Sequence, residues 1–327
     1  ALTFGFTLLT TEISIGRITR QSPLTAYSKI KKGWGFMGVI ACLIPMIIMP
    51  YYCVIGGWIV KYLVAFLTGD GVTASQDGYF TNFITGDVQP ILFTIIFLCI
   101  TAFVVFRGVE KGIESFSKII MPLLLVLVLA IAIFSVTMKF TDAEGVTRTG
   151  LEGLKIYLVP NLEGLTVKQF FSVLLDAMGQ LFFSLSVAMG IMVAYGSYVR
   201  DDANLVSSIN QIEIFDTVVA ILAGVMIIPA VFTFMGTEGM EASGPSLMFI
   251  SLPKVFHAMG GVGIVIGCLF FAMVLFAAIT SSVSIMEAIV VSLMDKFHIS
   301  RIKAAVIETA IALAGGIIVC LGYNKLY

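Results

Sequence analysis

Residues 169–198 are apolar enough to cross a bilayer, yet their centre reads Gln180-Leu-Phe-Phe-Ser-Leu-Ser-Val-Ala-Met-Gly190. In hydrocarbon every backbone N–H and C=O must be satisfied within the chain. A plain spanning helix therefore gains nothing from serines, a glutamine and a glycine at its middle. Small polar residues there point to a helix that breaks and turns its half-helix ends toward a buried polar ligand. Gln180 and Ser184 share one helix face, with Ser186 just beyond. Gly190 tolerates the backbone angles of an unwound segment. A small-residue interface between helices is the plainer account, but the density of polar groups argues against it.

The rest of the chain fits a membrane setting. It is 59% hydrophobic and only 12% charged, more apolar surface than a soluble domain could hide. Its formal net charge of −1 implies no nucleic-acid partner. Cys42, Cys53, Cys99, Cys268 and Cys320 all fall inside apolar runs, where packing rather than disulfide pairing is expected. His257 and His298 stand apart at span edges, so no metal cluster is expected.

Runs of about 20 apolar residues mark spans. They fall near 1–15, 34–66, 89–106, 118–138, 169–198 (broken near 186–190), 207–236, 260–294 and 303–323, within one transmembrane domain. Arg17, Arg20, Lys29, Lys31, Lys32, Arg107, Lys111, Arg200 and Arg301 gather in short connections on one side, which sets that side as cytoplasmic. The opposite segment 237–259 mixes Gly and Pro with large apolar residues and reads as an outer lid. The chain opens on a membrane-like run without an initiator Met and closes soon after a span, so we read it as cut at both ends.

Further residues could carry chemistry. Ala277, Thr280 and Ser281 offer hard oxygens suited to a small cation, although hydroxyls also back-bond to the preceding helical turn. Tyr51 and Tyr52 follow Pro50 in mid-span, and a buried phenol needs a partner such as a ligand carboxylate. Charged residues within spans are functional candidates by default, which singles out Asp216, Glu12 and Glu287. For Glu12 and Glu287, structural pairing competes with a direct role. Gly112 and Pro122, nine residues between them, would loosen the cytoplasmic start of the fourth span.

Together these residues resemble the neurotransmitter:sodium symporter family, in particular its bacterial amino-acid transporters. The resemblance runs from the family's second to its ninth transmembrane helix. It rests on Glu12-Ile-Ser-Ile-Gly16-Arg17, Pro50-Tyr-Tyr-Cys-Val-Ile-Gly-Gly-Trp58, Arg107-Gly-Val-Glu-Lys-Gly-Ile-Glu, Gly179-Gln-Leu-Phe-Phe-Ser-Leu-Ser, Tyr195-Gly-Ser-Tyr-Val-Arg200, Gly244-Pro-Ser-Leu-Met-Phe-Ile-Ser-Leu-Pro253 and Thr280-Ser-Ser. It implies an all-α membrane protein with the inverted-repeat (leucine-transporter-type) helical bundle, in a bacterial inner membrane.

The resemblance also implies roles. Tyr52 would bind the substrate carboxylate, and Phe183 would lie over the substrate. Ser186, Met189, Ser281, Ile285 and Ile48 would line its side-chain pocket. Ser184 would belong to a first sodium site, and Ala277, Thr280 and Ser281 to a second. Tyr198, Ser197 and Asp295 would form the cytoplasmic gate.

Two departures from the family pattern refine this expectation. Asp216 falls about one residue from the position of an Asn sodium ligand, and a carboxylate there would supply the charge that chloride otherwise provides. Met189 replaces a frequent Phe, which points to hydrophobic or aromatic substrates.

The implied function is sodium-coupled, chloride-independent amino-acid symport by alternating access, with amino acid, sodium ions and membrane lipid as partners. No organic cofactor is implied, and a homodimer stays open. Proton coupling, with Asp216 or Glu12 titrating, and a non-transporting receptor remain alternatives. No nucleophile–base pair or metal cluster marks an enzyme.

Overall fold

The computed structural model describes residues 4–142, 145–159, 164–240 and 243–325. Residues 1–3 of the first apolar run, and Glu241 and Ala242 of the 237–259 segment, lie outside this set. The described chain is a helical bundle with a single short hairpin. In order, the helices are α1 (Phe4–Thr19), α2 (Pro23–Ile30), α3 (Gly35–Leu67), α4 (Gly71–Ala74), α5 (Tyr79–Ile84), α6 (Gln89–Phe106), α7 (Ser115–Thr137), α8 (Gly150–Leu158), α9 (Val167–Ser184) and α10 (Ile191–Tyr198). They continue as α11 (Leu205–Gly239), α12 (Gly244–Ser246), α13 (Leu252–Ala258), α14 (Gly261–Phe297) and α15 (Arg301–Gly322).

Six helical segments among the described residues are long and apolar enough to cross a membrane: Gly35–Leu67, Gln89–Phe106, Lys111–Thr137, Leu205–Gly239, Gly261–Phe297 and Arg301–Gly322. The first apolar run, now α1, and the stretch 169–198, now split into α9 and α10, are not among them. The split explains the second case, because neither half is a long apolar helix. The stretch 237–259 is largely helical as well: the end of α11, then α12, a π-helical turn over Leu247–Ser251, and α13.

Local chemistry fixes several boundaries. Thr149 and Glu152 form a reciprocal capping box that starts α8, and Thr166 and Gln169 do the same for α9. Strands β1 (Lys139–Thr141) and β2 (Thr147–Thr149) pair antiparallel with Phe140 opposite Arg148, and β2 runs directly into α8. A π-helical turn over Val109–Glu114 contains Gly112 and leads into α7, within which Pro122 lies. At Gly112 a side chain would drive its Cβ to 2.2 Å from the Val104 carbonyl oxygen, so the tight turn requires glycine.

The core lies where α3, α14, α6 and α15 pack together. Its outer end is aromatic: Trp58, Tyr62 and Phe66 of α3 meet Phe249, Phe256, Phe270 and Phe271. The Tyr62 hydroxyl donates to the Phe249 carbonyl at 2.7 Å. Phe249, Leu252, Val255 and Phe256 are buried, so the segment between α11 and α14 is packed into the bundle. A buried aromatic side chain packs about 150–250 Å² of surface against its neighbours, which anchors this segment strongly.

Candidate functional site

The break between α9 and α10 occupies residues 185–190. Ser186 (φ 54°) and Ala188 (φ 63°) are left-handed although neither is glycine, and Gly190 (φ 72°) completes the turn. Left-handed backbone costs an L-residue about 1–2 kcal/mol each, and such strain gathers where surrounding structure enforces it. Here the enforcement is visible. Glu12 of α1 accepts the Ala188 N–H through Oε1 at 2.6 Å, and Val187 N–H reaches back to the Phe182 carbonyl at 3.2 Å. Gly190 is wedged against Pro23 and the Ala41 carbonyl, where a Cβ would come within 2.7 Å of Pro23.

Glu12 in turn is placed by glycine packing. A Cβ at Gly16 would lie 2.0 Å from the Val193 carbonyl oxygen, and one at Gly196 would lie 2.3 Å from that of Ile13. The backbones of α1 and α10 thus touch directly, the close approach that small residues permit between membrane helices. Arg17 and Arg20 fasten the cytoplasmic end by donating to carbonyls of Ser197, Val199, Asp201 and Ala203. Beside them, burial and then the Glu12 charge push the Tyr27 phenol of α2 up to about 12.

On the other side of the break, the Ser184 hydroxyl donates to Asp216 Oδ1 of α11 at 2.5 Å. Ser184, read from sequence as part of a first sodium site, therefore meets Asp216, read as a further candidate sodium ligand. Phe183, next to Ser184, is half-exposed, while Ser186 and Met189 are partly buried.

The oxygens of α14 are arranged differently, because that helix is unbroken. Thr280 Oγ1 donates to the Ala277 carbonyl at 2.9 Å, as back-bonding predicts, and this brings two of the three candidate ligands together. The hydroxyl keeps its acceptor lone pairs for a cation. Ser281 points out of the packed face and toward the Tyr52 phenol of α3. The candidate carboxylate ligand and the candidate cation site are thus adjacent. Ser282 instead faces inward, bonded to Thr101 of α6 at 2.8 Å. Ile285 is buried, and Ile48 and Met189 pack against the same core. Carboxylate, carbonyl and hydroxyl are hard oxygen donors, the set that suits a hard cation.

Toward the cytoplasm, the Tyr198 hydroxyl donates to Glu287 Oε1 at 2.8 Å. Arg301 holds the same carboxylate with both terminal nitrogens and spends its Nε on the Val105 carbonyl at 3.0 Å. Glu287 is fully buried, so this is a desolvated pair with its remaining valences filled. Ser197 bonds within α10, to the Ala194 carbonyl at 2.6 Å. Asp295 accepts the Ser22 N–H at 2.6 Å, at the start of α2. Tyr198, Ser197 and Asp295 each have their own partner rather than forming one joined triad. Glu287 is paired, as sequence allowed, but Arg301 and Ser22 were not legible as partners. Glu287 and Arg301 meet only because α14 and α15 fold back on each other.

A family model described as the sodium:neurotransmitter symporter family matches residues 84–323. The uncharacterized sodium-dependent transporter YhdH of Bacillus subtilis (strain 168) is 34% identical over 98% of this chain and 69% of its own length. The chain belongs to the sodium:neurotransmitter symporter family. An uncharacterized sodium-dependent transporter of Haemophilus influenzae is 32% identical over 99% of this chain and 70% of its own length. The crystal structure of MhsT in complex with L-phenylalanine superposes with a TM-score of 0.84 at 33% identity, covering 98% of this chain and 70% of MhsT. This symporter is accordingly a sodium-dependent, multi-pass membrane transporter with the fold expected from sequence, and not an enzyme.

Proposed function

We propose that this symporter carries an amino acid with a hydrophobic or aromatic side chain, coupled to two sodium ions and independent of chloride. The observation that carries this reading is the Ser184–Asp216 contact at the strained break. It puts a negative charge and a hydroxyl where α9 and α10 present half-helix ends. Half-helix N-termini favour an anionic group and C-terminal carbonyls favour a cation. Asp216 as a carboxylate supplies the charge that would otherwise come from chloride. Ala277, Thr280 and Ser281 would hold the second ion.

In this mechanism the Tyr52 hydroxyl donates to the substrate carboxylate. Phe183 covers the substrate, and Ser186, Met189, Ile48, Ile285 and Ser281 surround its side chain. The name of MhsT bound to L-phenylalanine supports an aromatic substrate by likeness. Sodium binding favours the outward-open state because its ligands converge there, a population shift by differential affinity. Inward release requires the Tyr198–Glu287–Arg301 closure to part, with Ser197 and Asp295 moving alongside and the Gly112–Pro122 segment admitting water.

The test is uptake of radiolabelled phenylalanine, tyrosine, tryptophan and leucine into proteoliposomes, with sodium or choline and with chloride or gluconate. Sodium-dependent, chloride-indifferent uptake is expected. Asp216→Asn removes a charge-assisted contact of about 1.5–3 kcal/mol. It should raise the sodium requirement roughly ten- to a hundredfold and make uptake respond to chloride. Uptake that ignores sodium and follows a pH gradient would reject the reading.

A further inference from the structure

Glu308 takes no part in the mechanism above, yet it is among the most completely buried side chains of the bundle. It is 0% exposed, and neither of its oxygens has a hydrogen-bond partner among the described residues. Its face of α15 is otherwise made of small residues: Ala304, Ala305, Ala312, Gly316 and Cys320 are all buried with it. Those residues let α15 lie close against α3, as Gly315 does against Pro50. Glu308, two turns before Gly315, faces the stretch of α3 that holds Cys42 and Cys53.

Among the described residues no cation is placed to neutralise it. From α3 the ionisable groups facing Glu308 are the thiols of Cys42 and Cys53. On α14, Glu287 is taken by Arg301 and Tyr198, and Asp295 by the Ser22 N–H. On α6, Cys99 is exposed and Arg107, just past its end, lies over the Phe103 ring. On α15 itself, Arg301 is committed to Glu287 and Val105, and Lys303 is exposed.

An ionised carboxylate in such a place loses the hydrogen bonds of water and gains nothing in return, whereas the neutral acid escapes most of that penalty. A sodium ion fits poorly, since Glu308 would be its sole carboxylate ligand among thiols and methyl groups.

We propose that Glu308 is a proton-binding site. It holds its proton while α3 and α15 are packed together and gives it up only when that seam opens. Because α3 carries Tyr52 and Ile48, occupancy of this proton is linked to the position of the helix that contacts substrate. The inference concerns only the seam and stands whether or not the substrate assignment above is right.

The test uses the full-length transporter reconstituted in lipid. Infrared spectra of the unaltered protein and of Glu308→Gln are compared at neutral and alkaline pH. One protonated-carboxyl C=O band should be present at neutral pH and absent from Glu308→Gln, but retained in Glu12→Gln and Glu213→Gln. Thermal stability of the unaltered protein should fall as pH rises, and that alkaline fall should be flattened in Glu308→Gln. If Glu308→Gln does not fold, Glu308→Asp is used, and the same band should shift rather than vanish. An identical carboxyl spectrum with and without Glu308, or an equal alkaline fall in both proteins, overturns the proposal. So does a carboxylate band at Glu308 that responds to sodium, which would make it a metal-ion ligand.

Discussion

The two helical units that carry candidate cation ligands are built on opposite plans. In α9 and α10 the helix is interrupted, and α9 has no buried residue while Ile191, Val193, Ala194 and Gly196 of α10 are buried. In α14 the helix runs unbroken for 37 residues, and every residue from Ile285 to Ser292 is buried. The broken unit depends on other helices to hold its polar groups: Glu12 from α1 accepts the Ala188 N–H, and Asp216 from α11 accepts the Ser184 hydroxyl. The continuous unit satisfies its hydroxyls within its own turns: Thr280 on Ala277, Ser282 on Ile279, Ser284 on Thr280. One is a part whose shape is imposed and can be changed. The other is a frame against which change is measured.

The largest effect should come from prying the broken unit off its support. Gly196→Leu forces a side chain into the Ile13 carbonyl and should destabilise by about 3 kcal/mol or more. The loss should appear as a failure to recover folded transporter from membranes, while Gly261→Leu, at an open position on α14, should be recovered normally.

Next come the polar anchors of each unit. Arg301→Ala strands the buried Glu287 carboxylate of the continuous helix and should cost roughly 3–5 kcal/mol. Glu12→Ala frees the Ala188 N–H at the break and should cost about 1.5–3 kcal/mol. Both are read from thermal or denaturant unfolding in detergent. Equal losses would erase the distinction between frame and imposed turn.

A smaller pair of changes should differ in sign. Ala188→Gly relieves a left-handed residue and should stabilise by up to about 1 kcal/mol. Ala278→Gly, in the helical interior of α14, should destabilise by about 1 kcal/mol. A destabilising effect at both sites would show that the break is not under backbone strain.

The smallest effect lies outside the membrane, where α15 ends. Lys325, and then Asn324, hold the Asp87 carboxyl below its ordinary range. A lowered carboxyl contributes stability above its unfolded-state value and loses it as pH falls through its folded-state value. Asp87→Asn should therefore lower stability slightly at neutral pH and flatten the slight loss on the acid side, read from unfolding followed across pH. The pair is exposed, so added salt should mask it.

The sequence by itself marked six apolar runs that recur as long apolar helices, and the polar stretch where α9 gives way to α10. Apolar length and local polarity are properties of a single segment, and lipid leaves a helix few alternatives. It also marked Ser184, Asp216, Thr280 and Tyr52 as candidates to carry chemistry, because polar groups at membrane depth are rare enough to stand out. The same rule applied evenly marks Glu213 and Glu308, which lie on helix faces that become buried only in the bundle.

Partnership was decided by tertiary structure. Arg301 on Glu287, Ser22 on Asp295, Glu12 on Ala188 and the absence of a partner for Glu308 among the described residues depend on how helices are rotated and how closely they approach. A rotation of one helix by a single residue turns each side chain through about 100°, following from 3.6 residues per turn. No local pattern of residues fixes that angle. It is set by where glycines let two backbones touch, as Gly16 and Gly196 do here.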